Sequence, residues 1–148
     1  MKKFKFTLEA VLKYKRTIEK TQKAALAEVR MRLSALENER EKLRMSVKSA
    51  HETLNAAVES GGGIIDAMRV HGAYVTRLKA EDKELVRRIV VVEAEKDLRE
   101  AELIATMREL KGYDKLYDEQ YLAYLKEVQA EEEKEISDIV SRDAAVGV

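Results

Sequence analysis

Three consecutive glycines, Gly61-Gly62-Gly63, follow Ser60 and separate two stretches of regularly spaced apolar residues. A continuous helix through that triplet is disfavoured, because glycine loses the most backbone entropy on ordering. Gly61 can adopt the left-handed conformation that closes a helix. Asp66 has the side chain of an N-cap for a second one. The expectation is a fold-back with helix one over about 5–59, a turn over 60–65 and helix two over about 66–143, in a single unit spanning 1–148.

Both stretches carry heptads. In the first, one seam position is held by Leu8, Val29, Leu36, Leu43, Ala50 and Ala57, and the other by Leu12, Leu26, Leu33, Val47 and Leu54. Lys15, Glu19, Gln22 and Arg40 interrupt it. Val11, Ile18 and Ala25 lie beside the first three, so the apolar stripe is expected to drift there. In the second stretch Val75, Leu78, Leu85, Ile89, Val92, Leu103, Leu110, Tyr113, Tyr117 and Tyr124 follow three- and four-residue steps. Asp82, Lys96, Arg99, Thr106 and Gln120 interrupt these. Alternating steps of this kind predict a left-handed two-helix supercoil. The fold class is therefore all-α, a long antiparallel coiled-coil hairpin. Charged residues make up 38% of the chain and proline is absent, which suits long surface-exposed helices rather than a globule.

Charge supports the antiparallel return. Residues 1–30 hold nine Lys or Arg and three Glu, and residues 114–143 hold four Lys or Arg and ten Asp or Glu. A parallel pair of identical chains would align like charges. The intramolecular partner has the higher effective concentration, so a monomer is expected when the protein is free.

Chemistry is sparse. With no cysteine there is no disulfide or thiolate ligand, and a reducing compartment fits. His51-Glu52 opens like a zinc-protease helix, but Asn55 stands where the second histidine belongs. His51 and His71 read as solvated or flanking residues. The glycine triplet is followed by no Lys-Ser/Thr and is not a phosphate loop. No nucleophile–base pair is visible, and no enzyme activity, metal or cofactor is expected. The basic start is followed by no apolar stretch of signal-peptide length, and Ile89-Val90-Val91-Val92 is too short to span a bilayer. A formal net charge of zero argues against a nucleic-acid partner. The reading is a soluble, cytoplasmic protein with no direct membrane insertion. Tyr113, Tyr117, Tyr121 and Tyr124 line one helix face, either as seam and flank packing or as a partner surface. Gly72 and Gly112 inside helix two suggest local flexibility or close helix approach.

Several segments resemble the FliJ family of flagellar export proteins. They are Phe4-Lys-Phe6-Thr-Leu8-Glu-Ala-Val11-Leu12-Lys-Tyr-Lys-Arg16 at the start, then Thr53-Leu54-Asn55 ahead of the glycine turn and Tyr74-x-x-x-Leu78 after it. Arg108-Glu-Leu110 through Tyr113, Leu116 and Tyr117, with Tyr124 and the acidic end, completes the match. The chain departs from the family where Ile136-Ser137-Asp138 replaces the frequent Leu-Asp-Glu. The resemblance implies a hairpin similar to the central stalk of rotary ATPases. It implies partners: the hexameric flagellar export ATPase, the cytosolic domain of the export-gate membrane protein, and export chaperones. It implies a place in the cytoplasm, peripheral to the membrane at the flagellar base. On this reading the gate contact carries over to Tyr74 and Leu78. Glu81 and Leu85 stand where the family has a small residue and a histidine, so these do not transfer. The ATPase-ring contact is assigned to Phe4, Phe6, Leu8, Val11, Leu12, Arg16, Tyr113, Tyr117, Tyr121 and Tyr124, where charge and aromatic residues concentrate. The alternatives are the equivalent stalk of a virulence-type secretion system, or an unrelated coiled-coil tether.

Overall fold

The computed structural model describes residues 2–147; Met1 and Val148, the two ends of the expected 1–148 unit, lie outside the described residues. It contains two α-helices and, among the described residues, no strand: α1 is Glu9–Ser60 and α2 is Ile64–Val146. The all-α helical hairpin expected from the heptads is what the chain forms.

The connection is shorter than the expected 60–65. Gly61 has φ +73° and Gly63 φ +61°, and no other described residue has a positive φ. The Gly61 amide donates to the Val58 carbonyl at 3.3 Å and the Ser60 hydroxyl to the Ala57 carbonyl at 2.9 Å, so two of the last four carbonyls of α1 are satisfied locally. Asp66 is not the N-cap. α2 starts two residues earlier, with the Ala67 amide donating to the Gly63 carbonyl at 2.9 Å. Asp66 falls inside the first turn, where its carboxylate still faces the positive end of the helix dipole. Gly63 takes the capping place because its left-handed φ redirects the chain at once, which Asp66 could not do without strain.

The chain divides into two compact units, one formed by Met1–Thr21 with Leu103–Val148 and the other by Gln22–Glu102. In the second unit Val29, Leu33 and Val92 form a buried cluster covered by Leu36 and Ile89. Leu26, Val75, Leu78 and Leu85 are buried as well. These are the expected seam positions, each contributing about 1.5–3 kcal/mol by leaving water. The seam's polar interruptions are met unevenly: Gln22 Oε1 and Arg99 Nε are buried without a hydrogen-bond partner among the described residues. Arg40 donates from Nε to Asp82 at 2.9 Å, so two interruptions on opposite helices answer one another. Arg32 pairs with Glu95 at 2.8 Å and Arg30 with Glu100 at 3.1 Å along the flank.

In the first unit Phe6, Leu12 and Leu110 form the buried cluster, with Phe4, Leu8 and Tyr113 packed on it. Thr106 is buried beside the seam. Helix one does not begin near residue 5. Residues 2–6 are non-helical and α1 starts at Glu9. The cause is visible in the alternation Phe4-x-Phe6. An extended segment places both rings on one side, and here both find tyrosines. The expected drift of the stripe is confined to a widening: Lys15, Ile18, Glu19, Gln22 and Ala25 are all half-buried, while Val11 is 38% exposed. From 129 to 147 every residue is exposed.

Gly72 and Gly112 are not sites of close approach. A Cβ built on either meets nothing within 4 Å. Both lie within regular helix, so the packing gives neither a reason to be glycine.

Candidate partner-binding surfaces

The first surface belongs to the unit that carries both chain ends. Phe4 sits among three tyrosines, edge-on to Tyr117 at 5.3 Å and Tyr121 at 5.2 Å and tilted against Tyr124 at 5.4 Å. Phe6 meets Tyr117 at 5.3 Å, also edge-on. Such edge-to-face contacts add about 0.5–1.5 kcal/mol each beyond burial. The Tyr124 hydroxyl donates to the Lys2 carbonyl at 2.8 Å, tying the non-helical lead to α2. The Thr7 hydroxyl and the Gln120 side chain are hydrogen-bonded at 3.2 Å. The tyrosine stripe has two sides. It packs against the lead on one side, and Tyr117 and Tyr121 remain 40% and 41% exposed on the other.

Charged groups frame this aromatic cluster. Arg16 pairs with Asp114 at 3.4 Å, both well exposed. Lys15 pairs with Glu109 at 2.6 Å, and that hydrogen bond holds the Lys15 ammonium above its ordinary range. A groove of about 640 Å³ opens beside it, lined by Phe4, Phe6, Leu12, Arg16, Asp114, Tyr117 and Asp118 among others. Of the ten residues assigned to this surface, Phe4, Phe6, Leu8, Leu12, Tyr113, Tyr117, Tyr121 and Tyr124 come together, with Arg16 at the groove. Val11 is exposed and belongs to no buried cluster. Phe6 and Leu12 are buried, so they shape the surface rather than present it.

The second surface lies near the turn, in the other unit. Tyr74 is half-buried and Arg77 stacks its guanidinium over the ring at 5.2 Å from the centroid. Leu78 is a seam residue with 4% exposure, so a partner reaching Tyr74 would not touch it. Leu85 is likewise buried in the seam, whereas Glu81 is exposed. Tyr74 instead borders a groove of about 630 Å³ whose α1 wall is Ser46, Ser49, Ala50, Thr53, Leu54 and Ala57, and whose α2 wall includes Asp66, Val70 and His71. Small side chains on α1 make that space. The run Ser49-Ala50, Thr53 and Ala57 is the signal for it in the sequence. Arg77 was not singled out there, although its place three residues after Tyr74 puts it on the neighbouring turn of the same face.

The described residues contain no cluster of three or more His, Cys, Asp or Glu placed to hold a metal ion. No helix among them is long and apolar enough to cross a membrane. What the two surfaces offer is aromatic and charged side chains on helical segments, the chemistry of protein recognition. The fold defines an all-α helical-hairpin protein. The family description "Flagellar FliJ protein" matches residues 4–146, nearly the whole chain, and the chain belongs to that family. It is thus a component of the flagellar protein export apparatus, in a family of non-catalytic export components. No curated protein and no solved structure matches it.

Proposed function

We propose that this protein is the stalk of the export ATPase ring and an escort linking the ATPase, the cytosolic domain of the export gate and the export chaperones. It hydrolyses nothing itself. It acts as a monomer in the cytoplasm, peripheral to the membrane at the flagellar base. The observation that carries the reading is the aromatic cluster of Phe4, Phe6, Tyr117, Tyr121 and Tyr124 on the helical hairpin of a FliJ-family chain. A hexamer's central opening takes a narrow helical element, and half-exposed tyrosines flanked by Arg16 and Asp114 supply anchors of the type that dominate interfaces. The gate contact falls to Tyr74 and the groove it borders, while Leu78, buried in the seam, holds the helix that carries it.

The test is ATP hydrolysis by the cognate export ATPase at a concentration where its ring is partly assembled. The protein should stimulate hydrolysis and shift the ATPase to hexamer size. Tyr121→Ala, which leaves the buried cluster intact, should lose most of that stimulation at unchanged helix content. Tyr74→Ala should lose gate binding and keep the stimulation. Stimulation that survives deletion of residues 1–12 would show that the ring contact lies elsewhere.

A further inference from the structure

His51 and His71, twenty residues apart in sequence and the only histidines in the chain, meet across the hairpin. Their ring centroids are 4.7 Å apart, with the planes at 49°. His51 stands on α1 and is exposed, while His71 stands on α2 and is half-buried. The Nδ1 of His71 is buried and has no hydrogen-bond partner among the described residues. A ring nitrogen left without a partner beside a second imidazole is an arrangement that contact between the two rings alone does not satisfy.

We infer that His51 and His71 form a two-ligand clip for a divalent transition cation of borderline softness, such as Zn²⁺, Ni²⁺ or Cu²⁺. The separation carries the inference. With metal–nitrogen bonds of about 2.0–2.1 Å, imidazoles on adjacent coordination positions have ring centres roughly 4.5–5.5 Å apart. The observed 4.7 Å lies in that interval. Imidazole suits these metals, whereas the magnesium and calcium ions favoured by carboxylates would be excluded. His51 faces water, so the remaining coordination positions stay open to solvent or to an incoming ligand. Asp66, on the wall of the groove that His71 borders, adds negative potential nearby. With one ligand from each helix, a bound ion staples α1 to α2 close to the glycine turn. The chain has no cysteine and no third histidine to compete for the ion.

The experiment uses the full-length, untagged protein titrated with Ni²⁺ and, separately, Zn²⁺ by isothermal calorimetry. Amide exchange near the turn is followed with and without the ion. One saturable site is expected, together with slower exchange around residues 54–70, because an ion bound to the folded hairpin and not to the open one opposes opening. His51→Gln and His71→Gln should each weaken the site about tenfold or more, since each removes one of two protein bonds to the ion. His51→Gln changes an exposed side chain, so it keeps the hairpin even if the partly buried His71 position tolerates less. Affinity unchanged in both variants, or the absence of any saturable site in the unaltered protein, would overturn the assignment. Tyr74→Ala should leave metal affinity unaltered, which separates this site from the proposed gate contact.

Discussion

Replacing both interior glycines of α2 should make the protein markedly harder to unfold. Gly72 and Gly112 lie well inside Ile64–Val146 with no positive φ, and an added Cβ meets nothing within 4 Å at either position. An alanine there removes unfolded-state entropy and introduces no clash, a gain of about 0.5–1 kcal/mol per site. The two positions are far apart in the chain and share no contact, so the gains should add to about 1–2 kcal/mol. For a chain of this size each kcal/mol moves Tm by roughly 2–4 °C, and the double variant should melt about 2–8 °C higher by far-UV circular dichroism. Gly61→Ala and Gly63→Ala provide the opposite sign in the same assay. Their backbones sit at φ +73° and +61°, where a side chain costs about 1–2 kcal/mol. A double variant that melts no higher than the parent would refute the reasoning. It would mean that Gly72 or Gly112 works in a conformation other than the one described here.

Phe6→Ala should cost about 3 kcal/mol, near the low end for a buried aromatic, because the cavity it leaves opens to solvent at the edge of the cluster; urea unfolding measures it, and a loss below ~1 kcal/mol would sink the idea of an aromatic anchor. The Arg40–Asp82 pair, both partners about two-fifths exposed, should show a coupling of about 0.5–1 kcal/mol in a double-mutant cycle that shrinks in high salt. Replacing both by leucine should stabilise the seam, an outcome read from the same denaturation curves. The Arg32 hydrogen bond holds the Glu95 carboxyl below its ordinary value of 4.5, so the folded state binds this proton less readily than the unfolded chain. That contribution is present above pH 4.5 and lost as pH falls through the depressed value, and Glu95→Gln should flatten this part of the acid unfolding profile. For Lys15, raised by its hydrogen bond to Glu109, the sign reverses: its contribution holds below about pH 10.5 and fades as pH rises through the elevated value.

The hairpin was legible because burial follows period: Leu12, Leu26, Val29, Leu33, Val75, Leu78, Leu85, Val92 and Leu110 are heptad residues and form most of the core. Which polar residue answers which was not legible, since that depends on where the chain folds back. Leu12 and Leu110, Arg40 and Asp82, and His51 and His71 each stand at equal distances in sequence from Gly61. A turn centred on Gly61 rather than spread over 60–65 would have paired them by reflection. The late start of α1 escaped the heptad because helix one was expected from about residue 5, while the spacing of two between Phe4 and Phe6 marks an extended segment. The burial of Leu78 could be read from its seam position, but its usefulness to a partner could not, since motif resemblance carries no information about which face of a helix is already taken.

The exposed stretch from 129 to 147 has a consequence for how this helix meets a partner. An isolated peptide of that length would have to form a first hydrogen-bonded turn unaided, an event disfavoured by about a thousandfold. Here the paired part of α2 is a nucleus already made, and each further residue need only propagate from it. Ile136, Ile139 and Val140 thus stay in helical register without a surface to rest on. A protein that docks there meets ready-made spacing, and the stretch can fray and re-form many times without disturbing the paired helices that seed it.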